Sequence, residues 1–180
     1  MADVKLYTGK YPVVELTGIN NLGVNEIKSC TKSFAGALMN GMAVVVDEVK
    51  DEVSLPADAS KSVWLHASVE KLYSSNETRS DFAILNNDGF LARNYRLKLG
   101  QKFETNAVVF DSSVFADYSA LKTYTATNKV YAIPDASGLW RLVKTIPTSA
   151  PIPTTYGEVA LVTLPNGQNG VQITMTKVTY

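Results

Sequence analysis

Few residues in this chain have types that do chemistry on their own. In 180 residues there is one histidine, His66, and one cysteine, Cys30. A Ser–His–Asp arrangement would have to use His66, and no Gly-x-Ser-x-Gly elbow is present to offer a nucleophile. A zinc site built mainly from histidine is impossible with one histidine, and Cys30 alone does not supply the missing ligands. Cys30 lies in the mixed stretch Lys28-Ser29-Cys30-Thr31-Lys32 and reads as an inert small side chain, with activation by the flanking lysines as the functional alternative. His66, between Leu65 and Ala67 in an alternating run, reads as a half-exposed strand histidine pointing away from the apolar face. Neither phosphate-cradling pattern, Gly-x-x-x-x-Gly-Lys-Ser/Thr or Gly-x-Gly-x-x-Gly, is present. The acidic cluster Asp47, Glu48, Asp51, Glu52 could in principle pair carboxylates for hydrolysis or hold calcium. It alternates with Val49, Lys50 and Val53, which is the pattern of a solvated turn, and its spacing departs from the calcium-loop pattern. The expectation is therefore no catalytic, cofactor-binding or metal-binding residues, no small-molecule substrate and no cofactor.

Charge narrows the partners. Seventeen basic and seventeen acidic residues cancel, and no basic stripe supports nucleic-acid binding. Charged residues make up 19% of the chain, below the usual ~25%. Such a surface fits either a protein covered partly by neighbours or a Ser/Thr-rich β protein. The nine tyrosines admit two readings as well, interface residues or strand formers, and a carbohydrate-binding platform stays open. A single cysteine rules out an intramolecular disulfide. The opening residues have no basic-then-apolar signal pattern, and apolar runs fall far short of the ~20 residues of a membrane span. A protein made and folded in a cytoplasm, with no membrane partner, is expected.

The elements that must position these residues read as strands. Met42–Val46 is short and β-branched. Val63–Val69 alternates, with Val63, Leu65, Ala67 and Val69 on one face. Residues 81–85 and 90–97 flank Asp88-Gly89, a hairpin signal. Runs follow at 102–110, 129–133 and 139–143, and the chain closes with two runs around the loop 165–170. In the last run Val171, Ile173 and Met175 alternate with polar residues, predicting one buried and one wet face. Helix signals are scarce: one short helix over 113–121, capped by Ser112 or Ser113, and a helical turn around 35–39. The fold class predicted is all-β, mainly antiparallel, a sandwich or partly open barrel with at most one or two short helices.

Four segments follow. Residues 1–28 form an N-terminal arm or an edge segment, and 29–146 a β-rich core. Residues 147–155 are a proline-rich connector, and 156–180 a C-terminal β-hairpin. A faint echo, Ala43–Asp47 against Ala107–Asp111 and Leu55–Ser60 against Ile133–Gly138, would fit a core of two similar halves; coincidence explains it equally. In the first segment Val4, Leu6, Tyr7, Tyr11, Val13 and Leu16 are the candidate interface residues. Their runs are broken by Gly9, Pro12 and Gly18, which suits an edge strand added to a neighbour better than a central strand.

Two stretches carry a family resemblance. Asn40–Asp47 with Val53-Ser54-Leu55-Pro56, and Leu97-Lys98-Leu99-Gly100-Gln101-Lys102-Phe103-Glu104-Thr105-Asn106 running on to Asp111, are similar to segments of small β-rich bacteriophage virion proteins. Lys129–Ile133 and the Gly138-Leu139-Trp140 turn extend the similarity, which covers residues 40–145. The resemblance implies head decoration (cement) or head-fibre-base proteins. The expected function is a non-enzymatic accessory capsid protein, located in the virion, whose partners are the major capsid protein, copies of itself, or both. A tail-tube or baseplate subunit and a carbohydrate- or receptor-binding module are the alternatives.

Overall fold

A computed structural model describes residues 3–8, 12–19, 26–68, 84–85 and 91–179. Its strands are β1 (Asp3–Lys5), β2 (Val14–Gly18), β3 (Ile27–Lys32), β4 (Leu38–Met39) and β5 (Ala43–Asp47). Next come β6 (Glu52–Ser54), β7 (Trp64–His66), β8 (Ile84–Leu85), β9 (Ala92–Arg96), β10 (Lys102–Thr105) and β11 (Val108–Asp111). After the helix α1 (Tyr118–Thr125) follow β12 (Tyr131–Pro134), β13 (Trp140–Val143), β14 (Tyr156–Thr163) and β15 (Asn169–Lys177). The protein is all-β and mainly antiparallel, with one short helix among the described residues.

The strands form an eight-stranded sheet in the order β1-β11-β13-β12-β14-β15-β10-β2 and a small closed barrel, β3-β6-β5-β7-β9. A two-stranded sheet pairs β4 with β8. Among the described residues two pairings are parallel, β11 with β13 and β3 with β6. In the larger sheet β10 and β11 take the second-last and second places, yet only Asn106 and Ala107 separate them in sequence. One bent strand therefore serves both ends of the sheet and curls it upon itself.

Two apolar cores result. The first gathers Phe103, Val108, Phe110, Trp140, Leu142, Ile173 and Met175 from the large sheet with Ala43 and Leu65 from the barrel. The second gathers Cys30, Val44, Val53, Trp64 and Ala92 from the barrel with Ala107, Val109 and Leu139. Strands β5 and β11 contribute alternate residues to both cores. This explains why Ala43–Val46 and Ala107–Phe110 are uninterrupted apolar runs: a strand packed on both faces has no wet side to mark with polar residues.

Two glycines lock the sheet to the barrel. Gly138 has φ +81°, and a Cβ there would lie 2.9 Å from Leu55 Cδ2; its carbonyl accepts the Ala43 N–H at 2.7 Å. Gly41 has φ +86°, and its Cβ would run into the Thr105 hydroxyl and lie 2.9 Å from Ala107 Cβ. The Gly41 carbonyl accepts from Trp140 Nε1 at 3.0 Å, which satisfies the one polar atom of a fully buried indole.

Several expectations change in detail. Among the described residues the runs around Asp88-Gly89 join different strands: β8 joins β4, whereas β9 joins β3 and β7. The turn residues themselves lie outside the described residues, as do the turn at 20–23 and the segment 69–83. Residues 35–39 make bends and the strand β4 instead of a helical turn. The helix begins later than 113, because Ser113 is held by Asp111, whose Oδ1 accepts its N–H at 2.8 Å. Asp117, extended at φ −157°, caps α1 by accepting the Ala120 N–H at 2.8 Å. Val171, Ile173 and Met175 are buried as the alternation required, and β14 and β15 form the C-terminal hairpin. The 147–155 connector is tied to the 58–60 loop through Thr154, whose N–H donates to Ala59 O at 3.3 Å and whose hydroxyl donates to Ser60 O at 3.1 Å.

Candidate functional site

His66 is fully buried, not half exposed. Closing β3, β5, β6, β7 and β9 into a barrel turns what would be the outer face of β7 into an interior. Trp64 and His66, two residues apart, both point into it. The imidazole is held by neutral groups. Its Nδ1–H donates to Asn94 Oδ1 at 3.1 Å, and Ser68 Oγ lies 3.4 Å from Nε2. Asn94 is oriented in turn by donating from Nδ2 to Ala92 O at 2.9 Å, so its oxygen faces the ring. Asn40 closes the mouth by accepting the Ser68 N–H at 2.7 Å and donating to Ser68 O at 3.3 Å. Burial drives the imidazole pKa down to about 4, against the smaller opposing effect of the Asn94 bond.

Cys30 is in the same interior, with no exposed surface. Burial pushes its thiol pKa up, and the bond to Asn94 only partly offsets that. Cys, Asn and His are thus linked in one network, but without the charges of an activated nucleophile. A reactive pair needs thiolate and imidazolium, whereas this environment keeps both groups neutral. The lysines flanking Cys30 do not activate it: Lys28 turns to Asp51 at 3.4 Å, and Lys32 donates to the carbonyls of Phe34 and Gly36.

The acidic cluster forms the β5–β6 hairpin. Asp47 Oδ1 accepts the N–H groups of Val49 and Lys50 at 3.0 and 3.1 Å, which hold its pKa down. Lys50 and Lys28 neutralise Asp47 and Asp51. The hairpin carries Val49 at its tip, 94% exposed. Among the described residues no group of three or more His, Cys, Asp or Glu is placed to hold a metal ion.

Of the residues expected at an interface, Val4 lies in β1 and Leu16 in β2, the two end strands of the large sheet, and Leu6, Tyr7 and Val13 flank those strands. Val4 in β1 is opposite Phe110 and half buried on the first core, and Leu6 is buried, its N–H donating to Val108 O at 3.0 Å. Tyr7 packs against the second core with Lys5 Nζ 5.5 Å above its ring. Val13 is bound at both backbone atoms: its N–H donates to Asn106 Oδ1 at 2.6 Å and its carbonyl accepts the Thr105 hydroxyl at 2.7 Å. Leu16 in β2 packs on the first core. Tyr11 lies outside the described residues. Val4, Leu6, Tyr7 and Leu16 pack toward the chain's own cores, whereas Asp3 and Lys5 of β1 are exposed. β1 is clamped by Arg141, whose guanidinium donates to both carboxylate oxygens of Asp3 at 2.9 and 2.8 Å and to Asp135 at 2.8 Å.

Sequence reasoning did not single out Asn94, Asn106 or Arg141. Asn106 lies within the stretch that carries the family resemblance. The two ends of its side-chain amide are both used, Oδ1 accepting the Val13 N–H and Nδ2 donating to Gln168 Oε1 at 2.6 Å, so it fastens both the β2 approach and the β14–β15 loop to the bend of β10–β11. Thr105 and Asn106 therefore hold the architecture. On the outer face Tyr131 and Tyr156 meet edge to face at 88°, which is not the flat platform on which a sugar stacks. No protein-family model, curated protein or solved structure matches this chain.

Proposed function

We propose that the protein is a non-enzymatic structural subunit of a phage virion that attaches to the assembled head through its N-terminal edge strands. The observation that carries the reading is that β1 and β2, neighbours in sequence, occupy the two ends of the eight-stranded sheet. Each has one backbone row that no described strand pairs. Such rows accept a strand from another chain: main-chain hydrogen bonds supply affinity and alternate side chains supply register. The polar groups with chemistry to offer support the same reading, because His66, Cys30, Asn94, Thr105 and Asn106 are all buried and bonded internally. The step from structural subunit to phage head rests on the likeness of residues 40–145 to virion proteins.

On this reading the partner is the major capsid protein. A composite site present only in the assembled shell lets a weak single contact stabilise the lattice by mass action, since the subunit binds the assembled state alone. The test is co-sedimentation of purified protein with expanded heads of the phage that encodes it, with electron microscopy of the protein alone alongside. Saturable binding to heads, in preference to free capsid subunits, is expected. Rings or tubes formed by the protein alone would overturn the head in favour of a tail structure. Binding to a glycan array by isolated protein, without binding to heads, would replace the structural reading.

A further inference from the structure

The outward row of β1 carries a charge pattern that is complementary to itself. Leu6 N–H points to Val108, and Val4 pairs with Phe110, so even-numbered residues of this strand face β11. The odd-numbered Asp3 and Lys5 therefore turn their N–H and C=O groups away from the sheet. We propose that two copies of this chain pair antiparallel through β1, with Val4 on the two-fold axis, joining two eight-stranded sheets into one. This goes beyond the proposed place in a virion and does not depend on it; in a virion it would leave the β2 edge for the head.

In this register Asp3 of one copy lies opposite Lys5 of the other, and the reverse. Each of these pairs can exchange two backbone hydrogen bonds and unite opposite charges on one face. Charges on an edge strand ordinarily guard it against indiscriminate pairing. Here they select: a parallel in-register pair would set Asp3 against Asp3 and Lys5 against Lys5, and only the two-fold register matches opposite signs. Arg141 prepares the strand, since its two bonds to Asp3 fix β1 in place before a partner arrives and leave lone pairs of the carboxylate available. Three residues bury little area, so the pairing is weak and becomes important where copies are concentrated.

Sedimentation velocity on the full chain, over a wide concentration range, reads the equilibrium. A reversible dimer is expected. Lys5→Glu sets a carboxylate against Asp3 of the second copy and should weaken the dimer by about tenfold or more. Lys5→Pro removes an outward N–H without touching the β11 side, and should weaken it as well. Asp3→Lys should also dissociate, yet an equimolar mixture of Asp3→Lys and Lys5→Glu should form a heterodimer, because each then meets its opposite charge. Circular dichroism confirms that each variant is folded. If Asp3→Lys unfolds for want of the Arg141 clamp, the two Lys5 variants decide alone. A wild-type chain that stays monomeric, a dimer indifferent to both Lys5 variants, or folded variants that fail to rescue one another would each overturn the proposal.

Discussion

His66 shows how one residue's surroundings set a measurable pH response. Its folded pKa, about 4, lies below the ordinary value of 6.5. The unfolded chain therefore takes up the proton first as pH falls. Stability conferred by the neutral ring is complete above pH 6.5 and declines between pH 6.5 and about 4, by up to roughly 3 kcal/mol. The aspartates act lower. Hydrogen bonds from Ser60 and Ser113 hold Asp58 and Asp111 below the usual carboxylate range, so their contribution is present above an unfolded pKa near ~3.9 and lost as pH falls through the folded values. Among the described residues, urea melts from pH 7 to 5 should thus report chiefly His66. His66→Asn is expected to flatten that limb; an unchanged pH slope would show that the ring is hydrated in solution. The echo between distant stretches also resolves at this scale. Asp58-Ala59-Ser60 and Asp135-Ala136-Ser137 are the same local turn, in which the carboxylate accepts the N–H two residues on, at 2.7 and 2.9 Å.

Among the elements, the strands were legible because β-branched runs and period-two alternation survive wherever one face is wet, as in β15. What the pattern did not show is which of these strands are packed on both sides. β7 reads as alternating, yet Trp64, Leu65 and His66 are all buried, because barrel closure is a long-range event with no local signature. The helix start was misplaced for a local reason: two Asp-led turns precede α1, and only Asp117 caps it. Asp117→Ala is expected to cost about 1 kcal/mol, read as a shift in the chemical-denaturation midpoint, whereas Ser112→Ala should leave it unchanged. Trp140→Phe tests the tie between sheet and barrel. It keeps the ring against Phe103, 5.5 Å away, but leaves the Gly41 carbonyl without its donor. A loss of about 1–3 kcal/mol is expected in the same assay. Strands β1 and β2 of the N-terminal segment lie at the two ends of the large sheet. Their apolar side chains could not be assigned a direction from the sequence, because the strand that receives them begins about ninety residues further on, at a distance of 93 positions for the Val13–Asn106 bond.

Across the whole molecule, the bent strand β10–β11 is where remote parts of the chain meet. It pairs with β1 and β2 from the beginning, with β13 beyond it and with β15 near residue 177. The small barrel needs only residues 27–96. Loop-closure entropy favours such shorter-range pairings first. Pulse-labelled hydrogen exchange during refolding is expected to find β5–β6 amides protected before those of β10. Simultaneous protection would mean that both bodies form in a single step. The same wiring acts during synthesis. While the ribosome is still translating, β10 and β11 can dock against β1 and β2 alone, leaving a half-built sheet with an open apolar interior. Only when Asn169–Lys177 leaves the exit tunnel can that interior be covered, so nascent chains queued on one messenger expose matching unfinished edges to one another. Slow elongation between β11 and β15 is therefore a hazard for this protein, and a chaperone that shields apolar nascent segments should raise its soluble yield.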